Sequence, residues 1–380
     1  YNEISKDLSV GFVDGFIGYI GYDMVKEFEP SLKKNMSTLV DIANVPDFEL
    51  IRPKMIVAFS HKTSTLTLIS SMDEFSKKFD EIENILKSSY AFAPLKKAIK
   101  LSDGNFDFNK ENFIDIVNKS KEKIKSGDIF QILISNRYIQ PAIVDRLSFY
   151  RVLRSKNPSP YLYLLEFNEF AIAGSSPEVM IQLQDKTILL RPIAGTRKRG
   201  KNALRDKELE NEMLTDKKEI AEHIMLVDLG RNDVGRVAKA GSVKVANLMR
   251  VEKYSHVMHM VSDINAIIDD KFDMFDLFMA TFTAGTMTGA PKIKAMELIA
   301  EFEGFKRGFY SGCIAYFGFN GNMDSAITIR SALIKDELII FHAGAGVVAD
   351  SKPELEFLEV ENKLAATISS FHDLLDIKDQ

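Results

Sequence analysis

The chain has 380 residues, a formal net charge of -5 and 46% hydrophobic content, enough to bury a sizeable core over two or three domains. Its single cysteine, Cys313, excludes an internal disulfide and reads as a small core residue, and dispersed Lys and Arg in an acidic balance exclude a nucleic-acid footprint. No apolar run reaches the roughly 18 residues of a membrane span and no charged-then-apolar leader opens the chain, so a soluble cytoplasmic protein is expected, with a further segment before Tyr1 because that position is not Met.

Residues 11–23, GFVDGFIGYIGYD, set four glycines among aromatics, as at tight strand ends or close backbone approaches. Residues 55–69 alternate like a hairpin, and 72–89 read as one amphipathic helix. Around 91–108 the pattern lapses, which marks a connector. The spacing of Phe113, Ile116, Val117 and Ile124 predicts a helix that stops at Gly127. Strand-like runs follow at 129–139, 161–167, 170–175, 180–184 and 187–193. Next come a long helix around 218–229 and a strand-rich stretch at 251–268. Helices are expected near 273–282 and 291–301, strands within 310–334 and 337–350, and a final helix over 353–375. Successive strands separated by long helices predict an α+β layered fold.

The helix around 218–229 raises an electrostatic problem. Positions three and four apart share a face, so Glu219, Glu222, Leu226 and Leu229 form one stripe, and Ile220, Ile224 and Val227 an apolar stripe beside it. Two carboxylates about 5 Å apart repel by roughly 3 kcal/mol at an effective dielectric of about 20, so a positive charge is expected between them. Glu356 and Glu359 repeat the spacing in the last helix, with Lys363 one turn further on. Alone, the second pair reads as a solvated face. Four carboxylates on two helices suit a hard divalent cation such as Mg²⁺, which takes one or two carboxylates, waters and an anionic substrate; no Cys/His cluster has zinc spacing.

Other features call for an anion. Ala194–Gly200, AGTRKRG, and the HAGAG run ending at Gly346 carry glycine turns with available N–H donors, as cradles and ordinary strand turns both do. Arg330 interrupts an apolar strand and needs a buried partner or a cleft. His259 interrupts another apolar run, either as a core histidine or as a base.

In order, GDIFQILISNRY, NPSPYLYLL, GSSPE, RPIAGTRKRG, KEIAEHIMLVDLGRND, VEKYSHVMH, AGTMTGAPK, RGFYSG, AITIRSA, AGAGVVADS and LEVENK resemble the motifs of the chorismate-utilising enzymes, closest to the large synthase subunit of the anthranilate-forming branch. The resemblance implies two antiparallel sheets packed face to face with helices outside and the active site in the cleft. Residues 1–95 would be the remainder of an N-terminal region, and 108–376 the chorismate-binding catalytic region, in one intertwined fold. It also implies that Mg²⁺ bridges the protein and the ring carboxylate of chorismate, with Glu222 and Glu359 as nearest ligands and Glu219 and Glu356 in the same cluster. Arg330 and Tyr310 would hold the enolpyruvyl carboxylate, aided by backbone donors at Gly344, Ala345 and Gly346, with Lys363 and Gly195 completing the substrate contacts. Thr286 would line the ring site. Glu178 would be the acid for the departing hydroxyl and His259 the base.

Relatives that add water carry a lysine where this chain has Gln131, and those that form 4-amino-4-deoxychorismate carry one in place of Ala194, so the implied reaction is attack of ammonia at ring C2. The ammonia would come from a separate glutamine amidotransferase subunit in a hetero-oligomer. Gly230, where the family usually has Ala, is expected to loosen the helix end by up to about 1 kcal/mol. A catalytically silent regulatory paralogue is the alternative of a different class.

Overall fold

The computed structural model describes residues 10–89, 91–254 and 257–377; residues 255 and 256 of the predicted stretch 251–268 lie outside the described residues. Two antiparallel sheets dominate. In the first, Val257–Ile267 is flanked on one edge by Ile193–Lys198 and Thr187–Leu190 and on the other by Lys244–Lys253. The sheet continues through Val179–Gln184, Met323–Ile327 and Cys313–Gly318 to Gly15–Ile20 and Phe48–Ile51. In the second, the order runs from Gly289–Ala290 through Gln131–Ile143, Leu338–Val347, Ser331–Lys335 and Phe170–Ser176 to Tyr161–Glu166. One hydrophobic cluster unites them, with Ile134, Ile339 and Phe341 from the second sheet and Ile181, Ile264 and Phe317 from the first. This is the expected α+β sandwich. Among the described residues no helix is long and apolar enough to cross a membrane.

The glycine-aromatic stretch becomes a strand because its glycines admit close neighbours, and it pairs on both edges, with Cys313–Gly318 and with Phe48–Ile51. The hairpin appears as Ile56–Ser60 and Thr65–Ile69. The single helix expected over 72–89 is instead two, Asp73–Ser76 and Phe79–Lys87. The Lys78 N–H turns back to the Phe75 carbonyl, and neither segment buries a residue, so no packing enforces a continuous rod. In the connector, Ile99–Lys100 and Asn105–Phe106 join the edge of Gln131–Ile143.

The helix carrying the first glutamate pair is Lys217–Gly235, started by Asp216, whose side chain accepts from the Lys218 and Glu219 N–H groups, a favoured N-cap with Glu219 in the favourable first turn. Its buried face is His223, Leu226, Val227, Gly230 and Val234. The expected second apolar stripe is not buried as such, because Ile224 is 43% exposed; one face packs on the sheet and the other meets solvent. Gly230 does not loosen the helix end, since the helix continues to Gly235. A Cβ there would lie 2.8 Å from Ile264 Cδ1 and 2.9 Å from Leu190 Cδ2, so the missing side chain lets the helix settle onto the sheet.

A buried ion pair ties the layers together. Arg307 meets Glu303 at 2.6 Å with side-chain exposures of 1% and 0%, and also donates to the carbonyls of Met287 and Leu133. Glu303 accepts from the Ser135 N–H and hydroxyl. Removing one partner of such a pair leaves an uncompensated buried charge. Arg307→Met should therefore cost roughly 3–5 kcal/mol, seen as a large fall in the chemical-denaturation midpoint, and an unchanged midpoint would show the pair to be energetically idle.

Candidate active site

Three elements present the key side chains to one cavity of about 490 Å³. Lys217–Gly235 contributes Glu222, and Pro353–Leu375 contributes Glu359 and Lys363. The second sheet contributes Gln131, Gly344 and Gly346. Glu178, Ala194, His259, Thr286, Tyr310 and Arg330 complete the part of the wall foreseen from the sequence, and the cavity extends under Asn157 and Pro158. Four of the expected residues are not on this wall: Glu219, Glu356, Gly195 and Ala345.

The carboxylates influence one another across the helices. Burial first, then repulsion from Glu219, and further Glu359 and Glu356, push the Glu222 carboxyl above its ordinary range. Burial and then Glu359 do the same for Glu356, against a hydrogen bond from Ser351. The expected positive charge is present, but as protein side chains: Arg197 pairs with Glu219 at 2.8 Å and Lys363 with Glu359 at 2.6 Å. Among the described residues Glu222 receives only a long contact, 3.5 Å, from Gln131 Nε2. Among the described residues no three acidic or histidine side chains form a metal-holding group by themselves.

The cavity wall also carries a buried cation. Arg330 sits at φ +51, just before Ser331–Lys335, a left-handed conformation costing about 1–2 kcal/mol for a non-glycine residue. Its carbonyl accepts from the Ser175 N–H. The guanidinium is in no ion pair within 4 Å among the described residues, and burial lowers its pKa, with Tyr310 and Glu359 opposing. A buried cation without a partner is costly and waits for an anion. Tyr310 beside it is buried and stacked on His342, ring centroids 4.1 Å apart. The strand Leu338–Val347 pairs along its length with Gln131–Ile143, but with Ser331–Lys335 only as far as Phe341. On the stretch beyond, the Gly344 carbonyl accepts from Lys363 Nζ at 2.8 Å.

Glu178 and His259 have distinct environments. Burial raises the Glu178 pKa to about 7, against a hydrogen bond from Thr286 and the charge of Lys363; Thr286 Oγ1 donates to Oε1 at 2.9 Å. Burial lowers the His259 pKa, with the Gly195 contact opposing. The Gly195 carbonyl lies 3.2 Å from His259 Nδ1; a carbonyl can only accept, so Nδ1 carries the hydrogen and Nε2 the lone pair. Gly195 reaches this position at φ +61, in a bulge of the pairing between Ala194 and Thr196. The expected anion cradle at Ala194–Gly200 is therefore largely an edge strand, and the Gly200 N–H is spent on Asp206. Cys313 is buried in the core.

Two wall residues escaped the sequence reading. Tyr254 packs edge-on against His259 and donates its hydroxyl to Glu252. His342 reaches Ser135 Oγ at 2.9 Å, and because that hydroxyl donates to Glu303, His342 Nε2 must be the donor. A histidine inside an apolar strand, the signal used for His259, would have found it.

A family model described as chorismate binding enzyme matches residues 2–369. The chain is 42% identical over 371 residues to anthranilate synthase component 1 of Aquifex aeolicus, covering 94% of this chain and 74% of that protein, and 38% identical over 393 residues to the Bacillus subtilis protein of the same name, covering 98% and 76%. The crystal structure of anthranilate synthase component I from Streptococcus pneumoniae superposes with a TM-score of 0.85 at 34% identity, over 94% of this chain and 80% of that one. The menaquinone-specific isochorismate synthase of Escherichia coli shares the fold, with a TM-score of 0.74 at 19% identity over 96% of this chain and 89% of that one. With the family match running over nearly its whole length, the chain belongs to the chorismate binding enzymes.

Proposed function

We propose that the chain is an anthranilate synthase subunit, converting chorismate and ammonia to anthranilate and pyruvate in tryptophan biosynthesis. The observation that carries this reading is the charge pattern of the cavity wall, which brings carboxylates of two helices and a buried Arg330 with no ion pair among the described residues to one space. A substrate with two carboxylates can meet Arg330 with one and needs a cation to bring the other to Glu222 and Glu359.

The donor set fits Mg²⁺: Glu222 and Glu359 line the cavity, their ionised forms repel, and a hard divalent cation takes such oxygens together with waters and substrate. When bound, the ion would neutralise the ring carboxylate and fix its orientation. Glu219 and Glu356, whose charges act on Glu222, would join through waters. Arg330 offers its fork to the enolpyruvyl carboxylate, with Tyr310 beside it. Ammonia adds at ring C2 as the C4 hydroxyl takes the Glu178 proton and departs as water. The Nε2 atom of His259 then removes the C2 proton as the enolpyruvyl C–O bond breaks; the departing enolate takes up a proton to become pyruvate, and the added ammonium gives one up to leave the neutral amine. Each proton transfer of this kind contributes roughly 10²–10⁴-fold.

Gln131 and Ala194 set the branch, since neither can activate water or form a covalent adduct. Most ammonia is protonated at neutral pH, so a glutamine amidotransferase subunit is the natural source, in keeping with relatives named component 1. The test is to incubate the purified chain with chorismate, Mg²⁺ and ammonium at alkaline pH. Anthranilate fluorescence is expected; 4-amino-4-deoxychorismate or isochorismate would assign a sister reaction, and no turnover by the folded chain would assign the silent paralogue. Gln131→Lys should admit water and yield some isochorismate, detectable by chromatography. Its complete absence would remove the discriminating role from that side chain.

A further inference from the structure

Glu178 also borders a second, much smaller cavity. About 30 Å³ in volume, it lies between Lys217–Gly235 and the loop before Thr286, and its wall includes Glu178, Thr286, Asp233, Arg191, Leu229 and Ala284. This space exceeds what one water needs, and polar groups are on hand to hold it. Asp233 is buried against Lys292, and Arg191, paired with Asp263 at 2.7 Å, keeps a side chain 32% exposed. Nothing in the proposed reaction requires this space for substrate, because Arg330, Tyr310 and His259, the other side chains given a part in it, line the larger cavity.

Resting on the functional reading above, we propose that this small cavity is a water-filled proton inlet through which Glu178 recovers its proton while substrate occupies the main cavity. In each turnover the Glu178 O–H bond breaks as the proton passes to the departing hydroxyl, leaving a carboxylate. A water in the inlet then passes a proton to that carboxylate as it takes one from the next water, so that the proton arrives along the chain from solvent and no hydroxide is left behind. Asp233 and Arg191 order the chain and are positioning residues. Thr286, shared by both cavities, orients the Glu178 carboxyl group.

The test compares wild type with Ala284→Val and Leu229→Phe, which fill the inlet, and with Leu229→Met, which roughly conserves volume. Steady-state assays with chorismate, Mg²⁺ and ammonium would be run in H₂O and D₂O. The filled variants are expected to lose about tenfold or more in kcat, with the KM for chorismate within about twofold and a larger solvent isotope effect on kcat, while Leu229→Met behaves as wild type. Folded, filled variants with wild-type kcat and isotope effect would overturn the inlet alone. Parallel changes in kcat and KM would also overturn it, since they report a distorted site. Should the filled variants not fold, a high-resolution crystal structure of the unaltered chain decides: ordered water against Glu178 is expected, and a dry cavity overturns the proposal. A wild-type chain that makes no anthranilate would instead strike the functional reading, and the inlet with it.

Discussion

Glu178→Gln should lower anthranilate formation by roughly 10²–10⁴-fold while making the folded protein more stable above neutral pH. The acid must hold its proton to release the hydroxyl, and burial keeps that carboxyl protonated up to about pH 7. Activity limited by this step should therefore decline as pH rises through about 7, and the glutamine variant should lose that limb. The stability effect has the opposite sign. A carboxyl whose ordinary value is 4.5 and whose folded value is about 7 favours folding below the lower value, and that contribution is lost as pH rises through the higher one. Above both, ionising the buried group costs on the order of 3 kcal/mol, which the amide avoids. Turnover profiles and thermal melts at pH 5 and pH 9 check both halves; a variant active at the wild-type level would exclude Glu178 as the acid.

Arg330→Met should raise the KM for chorismate by roughly 30-fold to several thousandfold, the equivalent of the 2–5 kcal/mol associated with truncating a buried charge pair. The apo protein should not suffer in parallel, because the guanidinium has no ionic partner among the described residues and burial already disfavours its charge. Chorismate saturation curves and melting temperatures, measured together, separate the two effects. A destabilised variant that still binds chorismate normally would make Arg330 a structural residue.

Local signals were readable from the sequence and non-local ones were not. Glu219 with Glu222 and Glu356 with Glu359 stand out because a three-residue spacing fixes a shared helix face. Arg330 and His259 stand out because each interrupts an apolar run, although Arg330 lies in the bend between Met323–Ile327 and Ser331–Lys335 and not within a strand. Their neighbours come from afar: Arg197 reaches Glu219 from an edge strand, and Ser135 reaches Glu303 across 168 positions. The bulge that aims the Gly195 carbonyl at His259 depends on the register between two strands, which composition does not encode, so the sequence leaves Ala194–Gly200 open between an anion cradle and an ordinary strand turn. Ile224 was assigned to a buried stripe because periodicity shows an apolar face without showing whether anything covers it. The break at Lys77 and Lys78 follows the same lesson, since a strong amphipathic pattern without a packing surface did not sustain one helix.

Chorismate would be held in the cavity by two groups, Arg330 directly and the carboxylates of two helices through a divalent cation. Calorimetric titration of chorismate with and without Mg²⁺ tests this most directly, on wild type and on Glu222→Gln and Glu359→Gln. Mg²⁺ is expected to tighten chorismate binding to wild type, and chorismate to tighten Mg²⁺ binding by the same factor, with the coupling largely lost in either variant. Equal coupling in all three proteins would contradict it.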